Sequence, residues 1–347
     1  MHKGGSDNSD PPIPVVNHLV VETASDNFHI ADDMAKVLMQ DNKGDYYKLP
    51  CKEFPIEFTA APLVEPGSIS HGAWQSLMVH IGALTFDPDS PATHLKIPSG
   101  VGADRIARAI CERHRLKRYN ALYALRTIVT KGNIQFILSM YRTIMSQTAR
   151  HENDFSRDET THRDRMCGIL LKNHGIKTTL EYEVQKRSRC PTETTPGYID
   201  ICLDTASRRT VVELKCARLD RLSLKAPGVL LKAEKLANMP LEKVLALKFV
   251  SYDEYRPGKT IQEWIDGEVQ DQLFSYGLSG MNSVSDDRIF RAFAVVLIGE
   301  RRILFAEAYL SKDKSKDEGK GYRWTASGIE EARDIAETKE SAEIKGE

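Results

Sequence analysis

After Gly175 the hydrophobic period of this chain switches from helical to extended, and that switch limits the folds open to it. The run RMCGILLKNHG (165–175) reads as one helix closed by Gly175 at its C′ position, with Glu159 and His162 on its first turns. Three short runs rich in β-branched and aromatic residues follow: TTLEYEVQKRS, GYIDICLD and RTVVELKCA. A long segment, 218–259, then precedes a helical run, IQEWIDGEVQDQLFSYGL, and a strongly apolar strand, IFRAFAVVLIGE. The order helix, three strands, helix, strand predicts a mixed α/β core.

Upstream, the period is helical from about residue 70 to 147, in SHGAWQSLMVHIGALTF, GADRIARAICERHR, YNALYALRTIV and IQFILSMYRTIM. Residues 15–70 carry short apolar stretches and no assignable chemistry. Residues 1–14 and 311–347 are rich in charged and small residues, a composition expected of flexible ends. The chain thus divides into a flexible N-terminus (1–14), a mostly helical region (15–150), an α/β domain (151–310) and a charged flexible tail (311–347).

Composition narrows the function classes. The net charge of −1 gives no global positive field, so a nucleic-acid surface has to be a local patch. Six scattered cysteines without a CxxC pair argue against a zinc ribbon or a disulfide framework. No apolar run approaches the roughly 18 residues of a membrane span, and the N-terminus lacks a signal pattern. A soluble protein of the cytoplasm or nucleus, with no membrane partner, is expected.

The chemistry concentrates in GYIDICLDTASRRTVVELK. Read as a hairpin with its turn at 205–208, it pairs residues whose numbers sum to about 413, and Asp200 with Glu213 is such a pair. Opposite residues share a face with Cβ atoms roughly 4.5–5.5 Å apart, so two carboxylates can hold one hard divalent ion, Mg²⁺ or Mn²⁺. Lys215 shares that face by strand alternation, and the Leu214 carbonyl between them can complete the coordination shell. A bare E-x-K on an edge strand is ordinarily a solvated face. The upstream Asp200, the preceding Gly197 and the following helix with Gln272 and Tyr276 set this one apart.

These residues resemble the PD-(D/E)XK nuclease superfamily, in particular the branch usually found C-terminal to an AAA-ATPase-like domain. The matching text is GYIDICLD, VVELK and QLFSY, with DETTHRD and HLKIPSGVGADRIARAI further upstream. The resemblance implies a restriction-endonuclease-like αβββαβ core. It implies Asp200 and Glu213 as metal ligands, Lys215 as the catalytic lysine, Glu159 as an additional acidic ligand and Gln272 as a helix residue facing the site, with Tyr276 a weaker candidate. The expected function is Mg²⁺- or Mn²⁺-dependent hydrolysis of DNA or RNA. The alternative is an inert nuclease-fold scaffold that binds nucleic acid or protein, with a protein partner or homo-oligomer completing it.

Two departures qualify the resemblance. No G-x-x-x-x-G-K-[ST] loop occurs, so ATP binding is not expected. The interval between Lys215 and Gln272 is long for the branch and reads as an inserted helical pair whose lysines form a solvated amphipathic face. His114, in CERHRLKR, reads as a surface helix end. Glu181 and Glu183 alternate on the first strand and are candidates for the same face as Asp200.

Overall fold

A computed structural model describes residues 28–38, 47–51, 71–80, 82–91, 93–149, 155, 157–171, 176–187, 194–250, 256–273, 289–312, 322–326 and 328–332. The N-terminal half contributes helices α1 (Phe28–Val37), α2 (His71–His80), α3 (Gly100–Arg113), α4 (Arg118–Lys131) and α5 (Gln135–Thr148). It also carries a small antiparallel sheet of β1 (Leu49–Pro50), β2 (Thr85–Phe86) and β3 (His94–Lys96) in the order β1-β3-β2. Helix α6 (Glu159–Met166) continues as a π-helical turn, Cys167–Leu171.

The extended runs form β4 (Lys177–Arg187), β5 (Thr194–Asp204) and β6 (Arg208–Ala217), an antiparallel meander. The 218–259 segment holds α7 (Val229–Ala237) and α8 (Leu241–Leu245), a pair of helices. Helix α9 (Ile261–Trp264) opens on a capping box between Thr260 and Glu263 and runs on through the π-helical turn Ile265–Val269 to residue 273. Strand β7 (Ile289–Ile298) lies parallel to β6, so the chain must cross the sheet through these helices, as a parallel connection requires. Strands β8 (Arg302–Lys312), β9 (Tyr322–Ala326) and β10 (Glu330–Glu331) complete a seven-stranded sheet in the order β10-β8-β7-β6-β5-β4, with β9 on β8.

Alternation along the central strands explains the layering. Val212, Leu214, Phe293, Val295 and Leu297 join one buried cluster with the side chains of α1 to α5. Val211, Ala292, Ala294, Val296 and Ile298 join a second with Leu236 of α7 and Trp264, Val269 and Leu273. Successive side chains of β6 and β7 therefore enter opposite cores, which makes a sheet between two helical layers.

Two expectations change here. Among the described residues, the apolar faces of the mostly helical region close onto the sheet and share one buried cluster with it, so residue 150 does not separate two cores there. The tail expected from 311 is structured over its described part. Ser311 and Lys312 end β8, Tyr322–Ala326 pairs with them antiparallel, and Ala332 is buried. Its charged composition hides this because backbone pairing to β8, not side-chain burial alone, holds the segment. Residues 1–14 lie outside the described residues.

Among the described residues, no helix is long and apolar enough to cross a membrane, and Cys51, Cys111, Cys167, Cys202 and Cys216 are not joined in disulfides.

Candidate functional site

The β5–β6 hairpin has the expected register. Its ladder pairs Ile201 with Val212, Cys202 with Val211, Leu203 with Thr210 and Asp204 with Arg209, each summing to 413. Thr205 closes the turn by donating from its backbone N–H to the Arg208 carbonyl at 2.9 Å. The described ladder stops one step short of Asp200 and Glu213. Instead of backbone pairing, the Asp200 carboxylate accepts the Leu214 N–H at 2.8 Å. The strands thus part as a backbone-paired ladder at this point, and the polar side chains gather at that end.

Lys215 sits at the centre of that group. Its ammonium donates to Glu213 Oε1 at 2.8 Å, to the Leu214 carbonyl at 2.9 Å and to Glu159 Oε1 at 3.1 Å. Gln272, from the helix that follows α9, donates to Glu213 Oε1 at 2.5 Å. The structure thus brings together Glu159, Glu213, Leu214, Lys215 and Gln272, with Asp200 bound to the same backbone, from four separate stretches of chain. Glu159 arrives because Asp158 caps α6 by accepting from Thr161 N at 2.8 Å, which places Glu159 in the first helical turn.

Three carboxylates act on the Lys215 ammonium, with Arg163 as a further cation acting on Glu159. Burial pushes the Glu213 carboxyl up; Lys215 opposes this and Asp200 and Glu159 add to it, leaving a pKa of about 7. Burial, opposed by Lys215 and reinforced by Asp200, also raises Glu159. Burial alone would lower Lys215, but Glu213 and Glu159 hold its proton well above the ordinary lysine range.

The clearest sign is Glu213 Oε2. Glu213 is 1% exposed, and this oxygen is buried without a hydrogen-bond partner among the described residues. Leaving a buried charged acceptor unpaired is costly, so the position suits a cation. Among the described residues no group of three or more His, Cys, Asp or Glu side chains is close enough to hold a metal ion unaided. A hard divalent ion that takes two carboxylates, a carbonyl and several waters fits the donor set and offsets its negative charge.

The other candidates separate from this group. Tyr276 lies outside the described residues, as do the side chains of Glu181 and Glu183 on β4. His114 is not a surface residue: it is 5% exposed at the end of α3, with Nδ1 3.0 Å from Gln147 Oε1, because α5 packs over that helix end. His162 turns away into a buried cluster. Its Nε2 lies 2.7 Å from Glu300 Oε1 and its Nδ1 2.9 Å from the Tyr141 hydroxyl. Sequence reasoning missed Glu300. The signal available was a charged residue directly after Gly299 in a tight connection, IGERR, where glycine or asparagine is usual.

Compared with protein-family models, curated proteins and solved structures, the chain has no significant match, so the reading of this site rests on its residues and geometry.

Proposed function

We propose that the protein is a metal-dependent nuclease of the PD-(D/E)XK kind. The observation that carries this reading is the convergence of Asp200, Glu213 and Lys215 where the β5–β6 ladder parts, with Glu213 Oε2 buried and unpartnered among the described residues. The order α6, β4, β5, β6, α9, β7, with β7 parallel to β6, supports a restriction-endonuclease-like core around it.

In this reading Asp200, Glu213 and the Leu214 carbonyl hold Mg²⁺ or Mn²⁺, with Glu159 as a further acidic ligand. When bound, such an ion lowers the pKa of a coordinated water and offsets charge on the phosphoryl oxygens. The chain's own groups do the rest. The Lys215 ammonium orients the attacking water and faces the charge that develops on the phosphate. Gln272 fixes Glu213 through Oε1, which leaves Oε2 for the ion. The Asp200–Leu214 N–H bond pins the backbone whose carbonyl is the third donor. Substrate is a phosphodiester of DNA or RNA.

The test is cleavage of single- and double-stranded DNA and RNA by purified protein with Mg²⁺ or Mn²⁺, beside Asp200→Ala and Lys215→Ala. Cleavage lost in both variants and with chelator is expected. Wild-type protein that cleaves nothing, with nucleic-acid binding unchanged in both variants, overturns the reading in favour of an inert scaffold.

A further inference from the structure

Glu300 occupies the three-residue connection between β7 and β8, where Ile298 pairs with Arg302. Its φ of 58° lies in the left-handed region, which is strained for a residue with a Cβ. Its side chain is nonetheless 2% exposed, rather than turned to solvent as a hairpin tip usually is. The carboxylate meets two partners: Oε2 accepts from Arg157 at 2.8 Å, and Oε1 lies 2.7 Å from His162 Nε2.

Both partners belong to the short stretch that carries Glu159. Arg157 precedes it by two residues and His162 follows it by three, about one turn along α6. Tyr141 closes the far side of the histidine: its hydroxyl lies 2.9 Å from Nδ1 and donates to the His162 carbonyl at 3.1 Å. One carboxylate, from a connection far along the chain, therefore grips the stretch on both sides of Glu159.

Resting on the nuclease reading above, we propose that Glu300 is a positioning residue for the metal site, acting through Arg157 and His162 to set where the Glu159 carboxylate stands against Lys215. Measured against apolar packing of the same volume, a buried charged cluster is often neutral or worse for stability. What it does supply is directional restraint. Contacts from Glu300 and Tyr141 converge on Arg157 and His162, and the side chain between those two residues is the one that shares Lys215 with Glu213.

The test is direct Mn²⁺ titration of the full chain, followed by calorimetry, for wild type, Asp200→Ala, Glu300→Gln, Glu159→Gln and the Glu300→Gln/Glu159→Gln double variant, with thermal denaturation of each. Residues that orient metal ligands typically change affinity by 10–100-fold, so Glu300→Gln is expected to weaken Mn²⁺ by about tenfold or more. In the Glu159→Gln background the same change is expected to cost nothing further. An equal loss in both backgrounds, or no loss in either, overturns the proposal and leaves Glu300 a support of the fold. If Glu300→Gln fails to fold, His162→Gln removes one arm of the grip and is read by the same cycle. Wild type and Asp200→Ala that bind Mn²⁺ alike overturn the metal reading itself, and this inference with it.

Discussion

Replacing Glu213 by glutamine should make the metal-free protein more stable, and the size of the gain follows from the burial of that carboxyl. Glu213 is 1% exposed with one oxygen unpartnered among the described residues, and its pKa of about 7 stands above an ordinary value near 4.5. Below the ordinary value the group is protonated in both folded and unfolded chains and contributes nothing. As pH rises from there to about 7, the unfolded chain ionises while the folded one keeps its proton, and stability falls. Above that range the full penalty is present, about 3 kcal/mol. A neutral amide in the same place would carry no such penalty. In chelator at pH 8, Glu213→Gln is therefore expected to melt higher than wild type, by on the order of 5 °C, and the two are expected to converge near pH 4. Added Mn²⁺ should raise the wild-type Tm by binding the folded state and leave the variant unchanged. Thermal denaturation followed by circular dichroism across this pH range measures both effects. A variant less stable than wild type at pH 8 in chelator would refute the reasoning, because the Glu213–Lys215 pair would then outweigh the cost of burying the charge.

Three further outcomes are expected. Glu300 behaves in the opposite sense to Glu213: burial pushes its carboxyl up, but His162 and Arg157 pull it down to about 2. Its contribution, about 3 kcal/mol, is present above the ordinary glutamate range and lost as pH falls through about 2, so acid titration of Glu300→Gln should show a shallower loss of stability between pH 4 and 2 than wild type. Gly168, in the π-helical turn after α6, leaves no room for a side chain, since a Cβ there would stand 2.3 Å from the Ala35 carbonyl of α1; Gly168→Ala should destabilise by about 1–3 kcal/mol, read as a lower midpoint in urea. Gln272→Leu removes the donor to Glu213 Oε1 and should weaken Mn²⁺ about tenfold in calorimetric titration, with the Tm little changed.

The fold was legible wherever the polar exceptions fell at fixed places in an apolar period. The turn at 205–208 is the most polar point between two extended runs, and that alone gives the register that pairs Ile201 with Val212. What the period could not give was tertiary. Residues 302–310 carried no assigned element within the α/β domain and 311–312 opened the tail, yet together they pair with β7 on one edge and with β9 and β10 on the other. The three-layer packing was equally hidden, because an amphipathic helix announces that it has a partner without saying which one. Helix α1 illustrates this: nothing in FHIADDMAKV indicates that Ala35 will press on Gly168, the next turn of the helix that bears Glu159.

The candidate site divides in the same way. Glu213, Lys215 and the intervening Leu214 are set on one strand by alternation alone, so their mutual placement needs no tertiary information. Asp200 required one more step, the hairpin, and there the expectation of a simple facing pair gave way to a parted end of the ladder in which Asp200 takes the Leu214 N–H. Glu159 and Gln272 required the whole domain, since each comes from a helix 56 or more residues away and meets the strand only after the sheet has formed. Glu300 lies beyond all three steps. Its sequence context is an ordinary tight connection, and its partners are set by how α6 lies across the end of the sheet. The strand residues of the site are thus visible in a strand period and its helix residues are not, whereas Glu300 is visible only through the burial of a charge at a turn that should have been exposed.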